Sequence, residues 1–290
     1  MSTFVALLVY GLADGAILAV AALGFVLIYK ATRVINFAQG EFLLVGAYTF
    51  YTAFVLLRLP LVLAAVVGVL FATVLGVLVE RFVLRPLIGE SAISVIMVTI
   101  GLSTVLRAAV QLFFGTAVRE QPDILPTGSI ELGGVTVPLN RLLVVLIAGA
   151  VLAGFALFYS RSRHGVAMRA VADDQQAALT MGISVARVFA LAWVLAAVSA
   201  LVAGVLLADL AAVEQNIAAF GLIVFPVVIL GGLDSIPGTV AGGLTIGLLK
   251  QFVSGYADPG LAEVVPYLVL VGILMVRPYG LFGETRIERV

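Results

Sequence analysis

Six residues within otherwise apolar segments could contact a polar solute inside a membrane. Carboxylate, guanidinium and amide groups bind ions and zwitterions through charge and hydrogen bonds. An ionised side chain at the centre of a membrane span costs on the order of 3 kcal/mol on insertion scales, so such residues are expected to pair or to line a polar path. We therefore expect these residues to mark a pathway through the protein. They are Asp14, Asn36, Gln39, Gly40, Glu41 and Arg107.

Four of these residues lie at the start of one apolar segment. Asn36, Gln39 and Gly40 share a helical face at spacings of three and four residues, and Glu41 lies one residue round from it. This stripe could present amide groups to a hydrated cavity while the glycine lets a neighbouring backbone pack close. Alternatively, it is a helix start at the membrane interface, with Asn36 as N-cap and Glu41 near the positive end of the helix dipole. Both interpretations can hold together.

The remaining two residues lie in other segments. Asp14 stands between glycines that are four residues apart, a spacing that permits close helix contact. It either lines the pathway or reaches headgroup water near the outer end of its span. Arg107 lies one turn before Gln111, too deep to extend to the interface, and so requires a carboxylate or carbonyl partner. Asp14 and Glu41 are the candidate partners, and a structural ion pair is the alternative to direct contact with a solute.

The composition places the chain in the membrane class. Of 290 residues, 63% are hydrophobic, and 16 basic side chains balance 16 acidic ones. The mean hydropathy is +1.23, which excludes an ordinary soluble domain. The absence of Cys and the single His164 exclude thiol chemistry and the usual zinc sites. No dense basic face suits a nucleic acid, and no nucleophile motif or nucleotide-binding P-loop occurs, so we expect neither an enzyme nor a cofactor.

The apolar segments predict an all-α integral membrane protein, a polytopic bundle of about nine transmembrane helices. A bilayer core of about 30 Å requires about 20 apolar residues for each helix. The last three segments are short and rich in Gly and Pro, so one could be broken or re-entrant and the total could be eight or ten. The predicted spans cover residues 4–28, 37–57, 60–79, 92–114, 142–159, 186–208, 217–232, 238–253 and 262–276.

Basic residues orient this bundle. Lys and Arg in short loops stay on the cytoplasmic side, and alternate assignment of the loops places eleven of the sixteen on one side. The N-terminus is therefore expected outside and the C-terminus in the cytoplasm. No basic run precedes the first span, so a cleaved signal peptide is not expected. The eleven are Lys30, Arg33, Arg81, Arg85, Arg161, Arg163, Arg169, Arg187, Arg277, Arg286 and Arg289.

Two loops are long enough to meet partners. The extracytoplasmic loop 116–140 has alternating residues around Gly133 and Gly134, which predicts a β-hairpin. It could cap a pore, receive a soluble partner or simply connect two spans. The cytoplasmic loop 160–185 predicts one short helix that begins at an Asp cap and stops at Gly182. Its small residues suit a groove on another protein, whereas Arg169 and nearby apolar residues also suit a helix lying on lipid.

Four motifs in order resemble the LivH-type membrane subunits of bacterial ABC importers for branched-chain amino acids. "INFAQGEFLLVGAY" at 35–48 is similar to the second-span motif of that family, and "RAVADDQQAALTMGIS" at 169–184 to its cytoplasmic loop. "VVILGGLDSIPGTVAG" at 227–242 resembles its glycine-rich turn, and "RPYGLFG" at 277–283 its ending. The resemblance covers nearly the whole chain and implies a single transmembrane permease domain over residues 1–290.

The resemblance also implies partners and a coupling helix in the cytoplasmic loop. In related importers this helix is marked by Glu-Ala-Ala followed four residues later by Gly, and here Gln replaces the Glu. The implied partners are a second homologous permease, two cytoplasmic ATPase subunits and an extracytoplasmic substrate-binding protein, all at the bacterial plasma membrane bilayer. A mainly apolar lining of small residues would equally suit urea or short amides, whose permeases resemble this chain, and a self-sufficient carrier or channel is the alternative class. The implied coupling residues are Arg169, Asp173, Gln176, Ala177, Ala178 and Gly182.

Overall fold

The computed structural model describes residues 2–132 and 135–283, which form eleven α-helices and a two-stranded hairpin. The helices are α1 Ser2–Thr32, α2 Gln39–Tyr51, α3 Leu61–Leu78, α4 Ala92–Phe114, α5 Leu139–Arg161, α6 Arg163–Asp173, α7 Gln175–Thr180, α8 Val185–Leu210, α9 Ile217–Gly231, α10 Ile236–Tyr256 and α11 Pro259–Val276. The strands are β1 Ser129–Leu132 and β2 Val135–Pro138.

The all-helical, polytopic class is confirmed, but fewer helices than nine are long enough to span. Among the described residues, six helices are long and apolar enough to cross a bilayer. The number is seven if α9 and α10, which meet at a bend of 119°, form one broken span. All nine apolar segments are helical, and α2 with the π-type turn Thr52–Leu56 that continues it covers 18 residues (13 and 5), or about 27 Å at about 1.5 Å per residue. This run begins with the polar side chains Gln39 and Glu41, so it is less apolar than the six helices that qualify as spans.

α1 is the central helix of the bundle. The most apolar window of α1 is 89% buried, and its backbone touches that of α10. A Cβ added to Gly247 would lie 2.4 Å from the Gly15 Cα, and one added to Gly243 would lie 2.7 Å from the Gly15 oxygen. The glycines of α10 therefore form a close-packing face, and α1 is its partner. Peripheral helices behave differently: only 17% of the corresponding window of α4 and 11% of that of α11 are buried.

Helices α2 and α3 change to π-type turns at their C-terminal ends. α2 is buried except at Thr49 and continues as a π-type turn, Thr52–Leu56. α3 continues as a π-type turn, Val79–Leu84, and then a 3₁₀ turn, Arg85–Leu87. π-type turns shift the side chains that follow relative to an ideal helix. These turns are placed where α2 and α3 meet the connections at opposite ends of the bundle.

The hairpin predicted from alternation in residues 116–140 is present. β1 and β2 pair antiparallel, with Ile130 opposite Val137 and Glu131 opposite Thr136. The predicted turn at Gly133 and Gly134 lies outside the described residues. Val137 is buried and packs with Val9 near the start of α1, so the hairpin rests on the bundle.

The loop 160–185 contains two helices where one was predicted. α6 ends at Asp173, and Asp174 has an extended backbone and caps α7. The Asp174 carboxylate accepts hydrogen bonds from the backbone N–H groups of Gln176 (2.8 Å) and Ala177 (3.0 Å). A side chain that binds the backbone in this way starts a new helix and so interrupts the preceding one. The predicted stop is correct: Gly182 has φ +80° directly after α7.

Candidate functional site

Two buried amides organise the segment that leads into α2. Asn36 Oδ1 accepts from the Ala38 N–H (3.0 Å), and Asn36 Nδ2 donates to Gln39 Oε1 (3.3 Å). Gln39 Nε2 donates to the Ala21 carbonyl oxygen of α1 (3.3 Å). The prediction of Asn36 as N-cap is wrong, because Ala38 occupies that position and makes no side-chain cap. Asn36 closes an Asx-type turn two residues earlier, and this turn holds the start of α2 inside the bundle.

Gly40 is where α2 crosses α9. A Cβ added to Gly40 would lie 2.2 Å from the Ala218 oxygen, and one added to Gly221 would lie 2.2 Å from the Gly40 Cα. Real Cβ contacts are not this short, so a larger residue at either position would push the helices apart. α2 and α9 therefore meet backbone to backbone, close to their N-terminal ends. The predicted close approach of a neighbouring backbone is present.

Glu41 is the partner of Arg107. Arg107 Nη2 lies 2.5 Å from Glu41 Oε1, and the exposed fraction of the side chain is 4% for Glu41 and 49% for Arg107. Of the two candidate carboxylates, Glu41 therefore forms the ion pair with Arg107, and Asp14 does not contact Arg107. The guanidinium stands on an outward face of α4, with exposed Gln111 one turn further on. A half-exposed charge in the middle of a span is costly against lipid, so this face of α4 is expected to meet protein or water.

Asp14 belongs to a separate cluster near the outer end. Its carboxylate accepts from Arg141 Nη1 (2.8 Å) and from Gln251 Nε2 (2.6 Å), and the Arg141 guanidinium lies 5.0 Å from the Tyr10 ring centre. These contacts tie α1 to α5 and α10. Asp14 precedes Ala21, the contact of Gln39, by seven residues, or about 10 Å along a helix. The predicted pathway residues thus fall into two clusters rather than one.

The predicted coupling residues differ in exposure. Gln176 and Ala177 are exposed on α7, Ala178 is buried, and exposed Asp173 is the last residue of α6. Arg169 is used inside the protein: it donates to the carbonyl oxygens of Tyr159 and of Ser160 (3.3 Å) at the end of α5.

Sequence reasoning missed two exposed apolar side chains beside the coupling residues. Leu179 is 57% exposed and Met181 is 81% exposed. Their apolar character near a turn was the available signal.

Sequence reasoning also missed three hydrogen bonds that join two further pairs of residues. Thr99 of α4 is buried, and its hydroxyl accepts from the Phe37 N–H (3.3 Å). Glu80 is buried and accepts from Arg85 Nε (3.0 Å) and Nη2 (2.7 Å). The Glu80–Arg85 spacing of five residues fits the π-type turn rather than an ordinary helix, so the usual spacing of four could not reveal it.

Arg33 links the cytoplasmic loop to the segment before α2. Its Nη2 donates to the Ala172 carbonyl oxygen in the last turn of α6 (3.3 Å), and its backbone has φ +58°. A positive φ is uncommon for a residue with a side chain, so the surrounding contacts must hold it. Among the described residues, no three His, Cys, Asp or Glu side chains lie close enough together to hold a metal ion.

The known proteins that this chain resembles are branched-chain amino acid permeases. A family model described as branched-chain amino acid transport system / permease component matches residues 7–274. The chain is 32% identical to the high-affinity branched-chain amino acid transport system permease protein BraD of Pseudomonas aeruginosa, over 98% of this chain and 97% of that protein. It is 30% identical to LivH of Escherichia coli, over 97% and 96% of the two chains. It is 27% identical to a probable LivH of Methanocaldococcus jannaschii, over 92% and 89%.

A solved structure shares the fold. PsaBC from Streptococcus pneumoniae in complex with Fab superposes with a TM-score of 0.50, at 12% identity, over 93% of this chain and 91% of that one. At this identity the likeness concerns the fold alone. The family model spans most of the chain, and two of these relatives reach 30% identity or more over nearly its whole length. This chain therefore belongs to the family of branched-chain amino acid transport permease components.

Proposed function

We propose that this chain is the transmembrane subunit of an ATP-driven ABC importer and forms half of the translocation pathway for branched-chain and other hydrophobic amino acids. The names of its relatives describe branched-chain amino acid permeases of high-affinity transport systems. The remaining half of the pathway comes from a second permease, homologous or identical. Two ATPase subunits bind on the cytoplasmic side, and a binding protein delivers the substrate from outside. The complex resides in the bacterial plasma membrane, with the C-terminus of this chain in the cytoplasm.

The observation that carries the ATP-driven mechanism is the short helix α7. An Asp cap starts it, a left-handed glycine ends it, and between them Ala178 anchors it to the bundle. Leu179 and Met181 project away from the bundle with 57% and 81% of their surface exposed. A capped helix that exposes Leu179 and Met181 among the polar side chains Gln175, Gln176 and Thr180 fits a groove on another protein that has an apolar floor and a polar rim. We assign that groove to the ATPase subunit.

The pathway is proposed to run along the outward face of α4. Arg107 lies there, half exposed, and is neutralised by the buried Glu41 of α2. Because lipid would penalise this charge, the face is best placed between the two permeases, where water and substrate pass. Gln39 and Gly40 precede Glu41 at the buried start of α2, so any shift of α2 moves this pair. Asp14, by contrast, holds three helices together and is assigned a structural part in the pathway.

Movement can pass from α7 to α2 through Arg33. ATP-driven closure of the ATPases would displace α6 and α7, and the Ala172 carbonyl of α6 is bonded to Arg33. Asn36, three residues further along, holds the start of α2 through Gln39. The nucleotide and the binding protein must favour different states of the bundle, since a ligand shifts an equilibrium only through unequal affinity.

The test is reconstitution with and without the partners. We would purify the tagged chain with whatever accompanies it, reconstitute it in liposomes, and measure radiolabelled L-leucine uptake with ATP or a non-hydrolysable analogue. Uptake should require the accompanying subunits and hydrolysable ATP. Isoleucine and valine should compete, whereas urea and acetamide should not; the reverse pattern would favour a urea or amide permease. Uphill leucine flux by the isolated chain would refute the proposal in favour of a self-sufficient carrier.

A matched pair of variants tests the part of α7. Leu179→Arg should leave ATP hydrolysis by the complex at half of wild type or more, while leucine uptake falls at least tenfold. Leu261→Arg introduces the same charge at a leucine that is 54% exposed in the first turn of α11, at the other end of the bundle. It should leave uptake within twofold of wild type. Equal effects of the two variants would remove α7 from the coupling mechanism.

A further inference from the structure

Five side-chain atoms at the outer end of the bundle are buried and make no hydrogen bond to the described residues. They belong to the Tyr48 hydroxyl, Arg119 Nε, both amide atoms of Gln121, and Gln215 Oε1. An unpaired buried polar atom costs about 1–3 kcal/mol, so native proteins rarely leave several together. A polar molecule, either water or a solute, could satisfy several such atoms at once.

The four side chains come from three parts of the chain that lie side by side. Tyr48 is on α2 and is only 1% exposed. Arg119 lies in the connection after α4, and its backbone pairs with Val213 in the connection after α8, at N···O distances of 2.9 and 3.0 Å. Gln215, two residues after Val213, and Arg119 both lie close to the Tyr48 hydroxyl, although neither meets the distance and angle limits of a hydrogen bond to it. We call Tyr48, Arg119, Gln121 and Gln215 the outer polar cluster.

The outer polar cluster and the neighbouring Glu214 together offer both charge signs, and the cluster offers both hydrogen-bond donors and acceptors. Arg119 forms no ion pair within 4.0 Å among the described residues, and its Nη2 donates to the Phe114 carbonyl oxygen (2.7 Å). Its Nε–H, like the Tyr48 hydroxyl, is free to donate to a carboxylate. Gln215 Oε1 is free to accept, and the Glu214 carboxylate acts on the same hydroxyl electrostatically. Donors beside a cation and acceptors beside an anion match the carboxylate and ammonium of a zwitterion.

An apolar cavity adjoins the cluster. Tyr48 and Phe114, whose ring centres are 4.8 Å apart, both line a cavity of ≈650 Å³ between α2, α3 and α4. The other lining residues are aliphatic or aromatic except Thr49 and Thr52, and the hydroxyls of these two donate to backbone carbonyls of α2 at 2.7 and 2.8 Å. The cavity therefore offers no free polar side-chain group apart from Tyr48. An aliphatic side chain would be accommodated there.

We infer that the outer polar cluster is a substrate site of the permease itself, where the ammonium and carboxylate groups of an α-amino acid bind as it enters from outside. Arg119 and Tyr48 donate to the carboxylate, Gln215 and Gln121 accept from the ammonium, and the aliphatic side chain lies in the adjoining cavity. The inference rests on the proposed function for its substrate class and adds selection by the membrane subunit to selection by the binding protein.

The test measures binding to the assembled permease–ATPase complex in nanodiscs without the binding protein. Ligand-observed NMR with L-leucine as the probe would give the dissociation constant. Tyr48→Phe removes only the hydroxyl and should weaken leucine binding about tenfold or more, as expected for a hydrogen bond to a charged group. Gln121→Leu should also weaken it. The control Tyr256→Phe makes the same chemical change at a tyrosine that is 63% exposed at the end of α10, and should bind leucine as wild type does.

A second probe tests whether Arg119 binds the carboxylate of the amino acid. L-leucinamide keeps the ammonium and the side chain of leucine but lacks the carboxylate. Arg119→Gln should weaken leucine binding at least tenfold and leave leucinamide binding within twofold. A structural loss caused by the substitution would weaken both probes equally, which would contradict the assignment of Arg119 to the carboxylate.

The outcomes separate this inference from the proposed function. If the wild-type complex imports leucine but Tyr48→Phe and Gln121→Leu bind it like wild type, the cluster holds water only and the inference is wrong. If the wild-type complex imports no amino acid, the proposed function fails. The site would still be supported in that case if the wild-type complex binds leucine and both variants lose this binding. Neither variant removes a hydrogen bond present in the structure, so aggregation of either would show that these atoms have internal partners and would also overturn the inference.

Discussion

Replacing Gly40 by Ala should destabilise the protein at the crossing of α2 and α9. The added Cβ would lie 2.2 Å from the Ala218 oxygen, whereas ordinary contacts begin near 3.4 Å, so the helices must separate by about 1.2 Å. Overpacking of this kind costs about 1–3 kcal/mol, and replacing a helical glycine by alanine returns about 0.5–1 kcal/mol. We expect a net loss of about 1–2 kcal/mol. Since Glu41 follows directly, the separation should also disturb its ion pair with Arg107 and lower leucine uptake.

The matched control is Gly149→Ala in α5. A Cβ there would meet nothing within 4 Å, so the helix gains alanine without a clash. Thermal unfolding of the purified complex, followed by the loss of monodisperse protein on size exclusion, compares the two variants. Gly40→Ala should unfold at a lower temperature than wild type, and Gly149→Ala at the same or a higher one. Equal unfolding temperatures for the two variants would refute the close crossing of α2 and α9.

Three further predictions concern the ion pair, the connection to α2 and the orientation. Glu41→Gln and Arg107→Gln should each reduce leucine uptake. The double variant should take up no less leucine than the less active single variant, which gives a coupling energy of about 1–3 kcal/mol in a double-mutant cycle. Additive effects of the two substitutions would mean that the ion pair does not form. Arg33→Ala should reduce leucine imported per ATP hydrolysed because α6 loses its bond to the segment before α2; an unchanged ratio would exclude this route. The sequence has no Cys, so a single introduced cysteine reports its side of the membrane. Met181→Cys should react with a membrane-impermeant maleimide only in inverted vesicles, and Ala117→Cys only in right-side-out vesicles. The opposite result would reverse the proposed orientation.

Composition and apolar segment length were sufficient to predict the helical membrane class, since a bilayer leaves the backbone few alternatives. Local signals also worked where one residue decides the conformation. Gly182 has the left-handed backbone expected of a helix stop, and alternation around residues 130–137 predicted the hairpin strands. The number of spans was less predictable, because hydropathy along the sequence does not reveal that α2 starts with polar side chains buried inside the bundle or that α9 and α10 meet at a sharp bend.

The polar clusters could not be predicted, because their partners are distant in sequence. Glu41 and Arg107 are 66 residues apart, and Asp14 and Gln251 are 237 apart. Sequence indicated that Arg107 needs a partner but could not select between two carboxylates. The outer polar cluster was missed for a related reason: Arg119 and Gln215 each occur in a polar loop, where a solvated position is the ordinary expectation. Only the packing of the two loops against α2 buries them.

The contact between α1 and α10 limits how the bundle can move. With Gly11, Gly15, Gly243 and Gly247 at the contact, no side chain separates the two backbones. Neither helix can shift past the other without forcing these backbones closer or pushing them apart, so we expect α1 and α10 to move together. The same close contact joins α9 to α10, where a Cβ added to Gly242 would lie 2.3 Å from the Val227 oxygen. We therefore expect a change between inward and outward openings to displace the other helices around the group formed by α1, α9 and α10.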